Sequence, residues 1–155
     1  MSEKKLTMVV PAYNEEEALP IFYAEALRVE KELPGVEIEY LFIDDGSSDG
    51  TLEVLRDLHK KDARVRYVSF SRNFGKEAAI YAGLQNDYVA ILDADLQDPP
   101  ALLPEMLQAI EEEGYDCVGS RRVTRKGEPP IRSFFARMFY HIMKKISNAD
   151  IVDGA

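Results

Sequence analysis

YLFIDDGSSDGT, residues 40–51, runs an apolar strand into an acidic, glycine-bearing turn and then into the start of a helix. Tyr40 to Ile43 reads as a buried strand. Gly46 allows a tight turn, and Ser48 or Asp49 can cap the helix that follows. That helix carries Leu52, Leu55 and Leu58 on its apolar side and ends near Lys60-Lys61, where basic residues suit the dipole. The same grammar repeats on either side. Upstream, Leu6 to Ala12 is a short apolar run, β-branched at Thr7, Val9 and Val10, that enters Tyr13-Asn14-Glu15. Glu15 to Leu33 then reads as an amphipathic helix with Leu19, Phe22, Ala26 and Val29 on one face. Pro20 fits only its first turn, so the regular part starts near Leu19, and Pro34-Gly35 stops it. Downstream, Val65 to Phe70 enters Ser71-Arg72-Asn73, and Lys76 to Leu84 is a short helix. Tyr88 to Leu92 enters Asp93-Ala94-Asp95, Pro99-Pro100 opens a helix to Glu113, and Asp116 to Gly119 reads as a fifth strand.

Strict alternation of strand and helix predicts an α/β domain with a mainly parallel sheet and helices on both faces. In such folds ligands bind beyond the carboxyl ends of the strands. The clusters Tyr13-Asn14-Glu15, Asp44-Asp45, Ser71-Arg72-Asn73 and Asp93-Asp95 all fall at such ends, and that convergence points to one site.

Composition narrows the chemistry. A chain of 155 residues suits one domain with a single sizeable core. One cysteine, Cys117, excludes an internal disulfide and reads as a small core residue. With two histidines beside it, a zinc site is not expected. Any metal is expected on oxygen ligands, hence Mg2+ or Mn2+. The amino terminus shows no signal peptide, and no apolar run approaches the ~20 residues of a membrane span. A net charge of -9 argues against nucleic acid as a partner. That charge is unevenly spread. Residues 1–120 hold 11 Lys+Arg against 25 Asp+Glu, whereas residues 121–155 hold 8 against 3. An acidic body and a basic tail face different things.

Each motif has a functional and a plain reading. Side chains alternate along an extended chain, which puts Asp93 and Asp95 on one side, facing the crevice. Two close carboxylates repel unless a cation lies between them. A hard cation that also bridges a diphosphate accounts for the pair, and Gln97 is placed to add a neutral oxygen. The plain reading is two solvated aspartates capping the Pro99 helix. In residues 44–51 an aspartate can accept from a base N–H or from ribose hydroxyls. The plain reading is a turn with a helix cap, though capping employs one acidic residue rather than three. Tyr13 can stack on a base and Glu15 can bond a ribose, or the stretch is a helix start with acids that favour the macrodipole. RNFGKE, residues 72–77, enters a helix N-terminus, which suits an anion or a backbone turn. Ile131 to Ile146 mixes Arg132, Arg137, Lys144 and Lys145 with Phe134, Phe135, Met138, Phe139, Tyr140 and Met143. It reads as a basic amphipathic helix suited to an anionic membrane surface, or as one that packs on the sheet. His59 and His141 read as solvated helix residues.

Together, VVPAYNEE at 9–16, DDGSSDGT at 44–51, RNFGKEAA at 72–79 and DADLQDPP at 93–100 resemble the family 2 glycosyltransferases with the GT-A fold. The resemblance is to the polyprenyl-phosphate group of that family, the dolichyl-phosphate mannose synthases and bactoprenol glucosyltransferases. It implies a Rossmann-like nucleotide-sugar-binding domain. Pro11, Tyr13, Glu15, Asp44 and Asp45 are implied on the nucleoside, with Asp93 and Ala94 also on the nucleotide sugar. It implies Mg2+ or Mn2+ on the diphosphate, held by Asp93, Asp95 and Gln97. Asp95 and Arg121, the latter in GSRR, are cast as catalytic, with Arg121 approaching the donor phosphates or the lipid phosphate. The implied reaction is inverting: an acceptor oxygen attacks the anomeric carbon, and nucleoside diphosphate leaves with its charge stabilised by metal. The implied partners are a UDP- or GDP-linked sugar, a lipid-phosphate acceptor and an anionic membrane, met from the cytoplasmic face.

The expected organisation is a nucleotide-sugar-binding domain over 1–128, then a basic amphipathic helix and the start of an acceptor-side region over 129–155. Two features depart from the resembled group. LQNDY, residues 84–88, is a shorter link than the family usually has, from a tight connection or from missing residues. The chain also stops before an acidic acceptor motif and membrane helices, and so reads as a donor-binding half that binds donor without transferring sugar. Three other readings compete. A sugar-phosphate nucleotidyltransferase should carry a Gly-rich, Arg/Lys-bearing loop where this chain has PAYNEE. An aspartate-nucleophile phosphatase should carry its DxD near the first strand, not after the fourth. A non-catalytic, membrane-associated donor-binding module stays open.

Overall fold

The structure is a computed structural model and describes residues 4–75, 87–97 and 99–120. The chain divides into two compact units, Met1–Gln108 and Ala109–Ala155. Within the first unit lie β1 (Lys4–Ala12), α1 (Ala18–Glu30), β2 (Val36–Asp44), α2 (Thr51–Lys61), β3 (Val65–Ser69) and β4 (Tyr88–Ile91). A 3-10 turn over Pro100–Leu102 then leads into α3 (Leu103–Glu113). Among the described residues the sheet has four strands in the order β3-β2-β1-β4, every neighbouring pair parallel.

β1 is central, and its sequence shows why. Leu6 to Val10 are all buried, as a strand covered on both faces requires. Leu6, Met8, Val10 and Ala12 join one core with Ile38, Tyr40 and Phe42 of β2. α1 adds Leu19, Phe22, Ala26 and Val29 to that core, α2 adds Leu55 and Leu58, and α3 adds Leu103 and Leu107. The α1 set is the one its helical spacing predicts. Phe22 meets Phe42 edge-on at 6.1 Å, and burying one such ring is worth roughly 1.5–3 kcal/mol. Leu52 of α2 is only half-buried. These helices share one face of the sheet. On the opposite face Val9 and Ile43 are fully buried, with Leu41, Phe70 and Val89 packed against them. The helix expected over Lys76–Leu84 lies outside the described residues.

Three expectations need correction. β2 begins at Val36 rather than Tyr40. Val36, Ile38 and Tyr40 alternate with Glu37 and Glu39, and a search for a continuous apolar run passes over such alternation. The glutamates pair across the sheet instead, Glu37 with Lys5 at 3.2 Å and Glu39 with Arg66 at 3.8 Å. Second, Asp116–Gly119 is not a strand. Its apolar content is Cys117 and Val118 alone, too little to hold a strand by burial. Third, Cys117 is exposed rather than a core residue.

Candidate active site

Parallel strands share one carboxyl edge, and the four polar clusters lie along it. Ala12 pairs with Asp44, and Asp44 with Ser69. On the other side of β1, Val9 pairs with Ile91, and the Leu92 N–H extends that ladder to the Val9 carbonyl at 3.0 Å. Asp44 and Asp93 therefore flank the end of β1 from either side.

The turns after β1 and β2 are sewn together. Asn14, in the left-handed region at φ 57, donates its N–H to Ser47 Oγ at 3.0 Å. Its side-chain oxygen accepts the Ser48 N–H at 2.8 Å. The Glu15 N–H donates to Thr51 Oγ1 at 2.8 Å. Glu16 and residues 49–50 bind reciprocally: the Glu16 carboxylate accepts the Gly50 N–H at 2.7 Å, and Asp49 accepts the Glu16 N–H at 3.3 Å. Asp49 also accepts from the Thr51 N–H at 3.1 Å and hydroxyl at 2.6 Å. The N-cap of α2 is Gly50, which is neither expected candidate, and Asp49 before it accepts the first helical N–H, that of Thr51. Asn14 and Glu16 thus brace the edge. Tyr13 stays exposed at 49%. The Glu15 carboxyl is raised above the usual range, first by partial burial, then by repulsion from Asp95, Asp49 and Asp93.

Asp44 and Asp45 are buried, at 2% and 5% exposure, and both are engaged by the chain itself. Asp44 accepts the Ser47 N–H at 2.9 Å and the Ser69 hydroxyl at 2.7 Å. Asp45 accepts the Phe74 N–H at 2.7 Å and the Gly75 N–H at 2.9 Å. The sequence argument that capping occupies only one acid of three therefore falls short. Asp44, Asp45 and Asp49 each have a partner in the fold.

Asp93 and Asp95 are not placed by strand alternation. β4 ends at Ile91, and residues 94–95 form a turn. The Leu96 N–H donates to the Asp93 carbonyl at 3.3 Å, and Leu96 takes φ 60. Asp93 is half-buried, Ala94 buried and Asp95 exposed. Asp95 accepts the Gln97 N–H at 3.0 Å, which sets the turn. Both aspartates nonetheless add to the repulsion that raises the Glu15 carboxyl.

Among the described residues no three His, Cys, Asp or Glu side chains converge as a metal cage. Two carboxylates at a strand end suit a hard cation that completes its shell with water and phosphate oxygens. The donor set fits such an ion when a diphosphate is present, and not a cage built of protein alone. A depression of about 260 Å³ lies instead at the amino end of β2, between Glu30, Val36, Glu37 and Arg64. Its charged lining is already paired. Arg121 and the tail over 129–155 lie outside the described residues, as does His141. His59 is exposed, as expected, but its ring meets the Val65 carbonyl at 2.6 Å.

Sequence reasoning did not find the bracing roles of Asn14, Glu16, Thr51 and Ser69. Their type carried a signal, since Asn, Ser and Thr at turns bond nearby backbone. Their partners lie far along the chain, and no local spacing reveals them.

Residues 7–152 match the family described as Glycosyl transferase family 2. The chain is 41% identical over 153 residues to the prophage bactoprenol glucosyl transferase homolog of Escherichia coli, covering 97% of this chain and 49% of that protein. Mannosyltransferase PcManGT from Pyrobaculum calidifontis, solved in complex with GDP-Man and Mn2+, superposes with a TM-score of 0.61 at 22% identity, covering 92% of this chain and 39% of that one. Staphylococcus aureus TarS 1-349 in complex with UDP gives a TM-score of 0.58 at 23% identity, covering 81% of this chain and 38% of that one. At these identities the two structures show the fold, and the fold is the GT-A one. The chain spans about half the length of the curated relatives it matches. The family match begins in the central strand and takes in every polar cluster of the carboxyl edge, so the chain belongs to glycosyl transferase family 2.

Proposed function

We propose that this chain is the donor-binding domain of a metal-dependent, inverting glycosyltransferase that moves sugar from a nucleotide sugar to a polyprenyl phosphate. The observation that carries this reading is the carboxyl edge itself, where Asp44 and Asp93 flank the end of β1 beside the braced turns of β1 and β2. A bare cluster of carboxylates repels a diphosphate, so the two are compatible only across a cation. Asp93 and Asp95, with Gln97, would hold Mg2+ or Mn2+. The ion supplies charge stabilisation to the departing nucleoside diphosphate. Tyr13 stacks on the base, Glu15 accepts ribose hydroxyls, and Pro11, Asp44, Asp45 and Ala94 shape the wall against which the nucleoside lies. Arg121 meets the phosphates. The name of the E. coli relative supports a polyprenyl-phosphate acceptor. The basic composition of residues 121–155 supports an anionic membrane surface, met from the cytoplasmic side.

Thermal unfolding with UDP and with GDP, each with and without Mn2+, tests this. Nucleotide at about 100 times its Kd stabilises by about 2.7 kcal/mol, a rise of roughly 5–10 °C for a chain of this size. One nucleotide should give that rise only with Mn2+. Asp95→Ala should abolish it while the ligand-free chain still folds and unfolds cooperatively, because Asp95 is exposed. A metal-independent rise that survives in Asp95→Ala would overturn the reading. Sugar transfer is then assayed on a chain of the relatives' full length. Absence of transfer there, with donor binding intact, would favour the non-catalytic module.

A further inference from the structure

We propose that Thr51 is a positioning residue: its buried hydroxyl sets the Glu15 backbone, and with it the carboxylate that meets the donor ribose. The inference rests on the donor-site reading above and adds to it a residue that acts without touching the ligand. Thr51 opens α2 and is fully buried. With Leu55 and Leu58 it makes the buried stripe of that helix, at i, i+4 and i+7. A hydroxyl therefore stands where a helix of this spacing would put an apolar group. Burying a hydroxyl is costly unless it is bonded, and this one is bonded twice. It donates to the Asp49 carboxylate at 2.6 Å and accepts the Glu15 N–H at 2.8 Å. Nor is it a cap of its own helix, since the N–H that it accepts belongs to the turn after β1.

The roles of the two bonds follow from valence. A hydroxyl carries a single hydrogen. Asp49, which also takes the Thr51 N–H at 3.1 Å, accepts that hydrogen and so turns a lone pair toward Glu15. On its other side the Glu15 carbonyl accepts the Leu19 N–H at 3.0 Å, from the first turn of α1. Glu15 is thus held at its N–H by α2 and at its C=O by α1. It follows Asn14, whose φ of 57 reverses the chain. Both helices are rooted in the core, α1 through Leu19 and Phe22 and α2 through Leu55 and Leu58. The direction in which the half-buried Glu15 side chain leaves the backbone is therefore set from the core, although the turn that carries it lies at the surface.

Thr51→Val removes the hydroxyl at nearly constant volume, and Thr51→Ser keeps it. Calorimetric titration in Mn2+ measures the affinity for UDP and GDP, and for the 2′,3′-dideoxy analogue of whichever binds. A hydrogen bond to a charged acceptor is worth about tenfold or more, so the unsubstituted chain should prefer the ribose form by that factor. Thr51→Val should lose most of this preference, and Thr51→Ser should keep it. A general loosening of the fold weakens both forms alike and leaves their ratio unchanged. Without ligand, NMR hydrogen exchange at the Glu15 amide should be about tenfold faster in Thr51→Val and unaltered in Thr51→Ser. If Thr51→Val does not fold, Thr51→Ala, which sets no methyl group against the Glu15 N–H, makes the same comparison. A faster Glu15 amide with the ribose preference intact would make Thr51 a brace of the fold only, and the proposal falls. A preference lost equally in Thr51→Ser would assign the effect to the methyl group of Thr51, with the same result. The donor-site reading fails differently: the unsubstituted chain binds neither nucleotide, or Glu15→Ala keeps the ribose preference.

Discussion

Glu15 is a carboxylate at the carboxyl edge of the sheet that works against stability. Its folded pKa is raised by partial burial and by Asp95, Asp49 and Asp93, whereas in the unfolded chain it titrates near 4.3. Between those two values the folded state binds more proton than the unfolded one. Its contribution therefore favours folding at low pH and is lost as pH rises through the folded pKa. Glu15→Gln removes the repelled charge. It should raise the Tm of the ligand-free chain at pH 7 and leave it unchanged below about pH 4. The same variant should bind metal and nucleotide less well. A lower Tm at pH 7 would show that the carboxylate stabilises the fold. In the unsubstituted chain, nucleotide with Mg2+ should bring the Glu15 pKa back down, followed by NMR titration of its side-chain carbonyl, because a cation between the neighbouring carboxylates cancels their repulsion.

At the scale of elements, a second polar network ties the opposite end of the sheet. The Tyr40 hydroxyl donates to Glu30 at 2.9 Å, and Arg64 bonds both Glu30 and Asp62. Tyr23 donates to Asp62 at 2.7 Å. The Arg64 guanidinium lies 5.6 Å from the centroid of the Tyr40 ring. The network joins the last turn of α1, the middle of β2 and the link from α2 to β3. Arg64 holds the Asp62 carboxyl down to about 2, while burial and the Asp62 bond push Tyr23 up to about 12. A depressed carboxyl contributes stability that is full above its unfolded pKa near 3.9. That contribution is lost as pH falls toward 2. Asp62→Asn should cost about 1–2 kcal/mol at pH 7, the worth of a partly exposed charged hydrogen bond. It should also flatten the fall in Tm between pH 4 and pH 2. An acid limb of unchanged steepness would show that Asp62 does not govern acid unfolding. Neither effect should touch nucleotide affinity, which separates this strut from the site.

For the whole chain the salient fact is its uneven charge. The first 120 residues carry 11 basic against 25 acidic side chains, and the last 35 carry 8 against 3. An acidic body is repelled by anionic lipid, so attraction to such a surface must come from the tail. Each Lys or Arg near the surface contributes roughly 1 kcal/mol. Among the described residues no helix is long and apolar enough to cross a membrane. Binding to phosphatidylserine vesicles should therefore weaken with salt. It should also fall when Arg132, Arg137, Lys144 and Lys145 become glutamine. Indifference to anionic vesicles at low salt would assign residues 129–148 to packing.

Much of this protein was legible from local pattern. The apolar run of β1, the buried face of α1 and the end of α2 follow from burial and from 3.6-residue periodicity, both properties of neighbours in the chain. Strand–helix alternation dictated parallel pairing, and parallel pairing put every motif at one edge. Tertiary structure decided what local pattern does not encode. It placed Glu16 against Gly50, Asp44 against Ser69 and Asp45 against Gly75, partners that meet only because β1, β2 and β3 are hydrogen-bonded side by side. It ended β4 at Ile91, so that a turn rather than strand alternation sets Asp93 and Asp95. It also left Cys117 exposed, since burial depends on what covers a residue and not on its own polarity. A sequence states which side chains can bond. The register of the sheet selects which of them do, because each carboxylate takes the donors that the neighbouring strand brings within 3 Å or so.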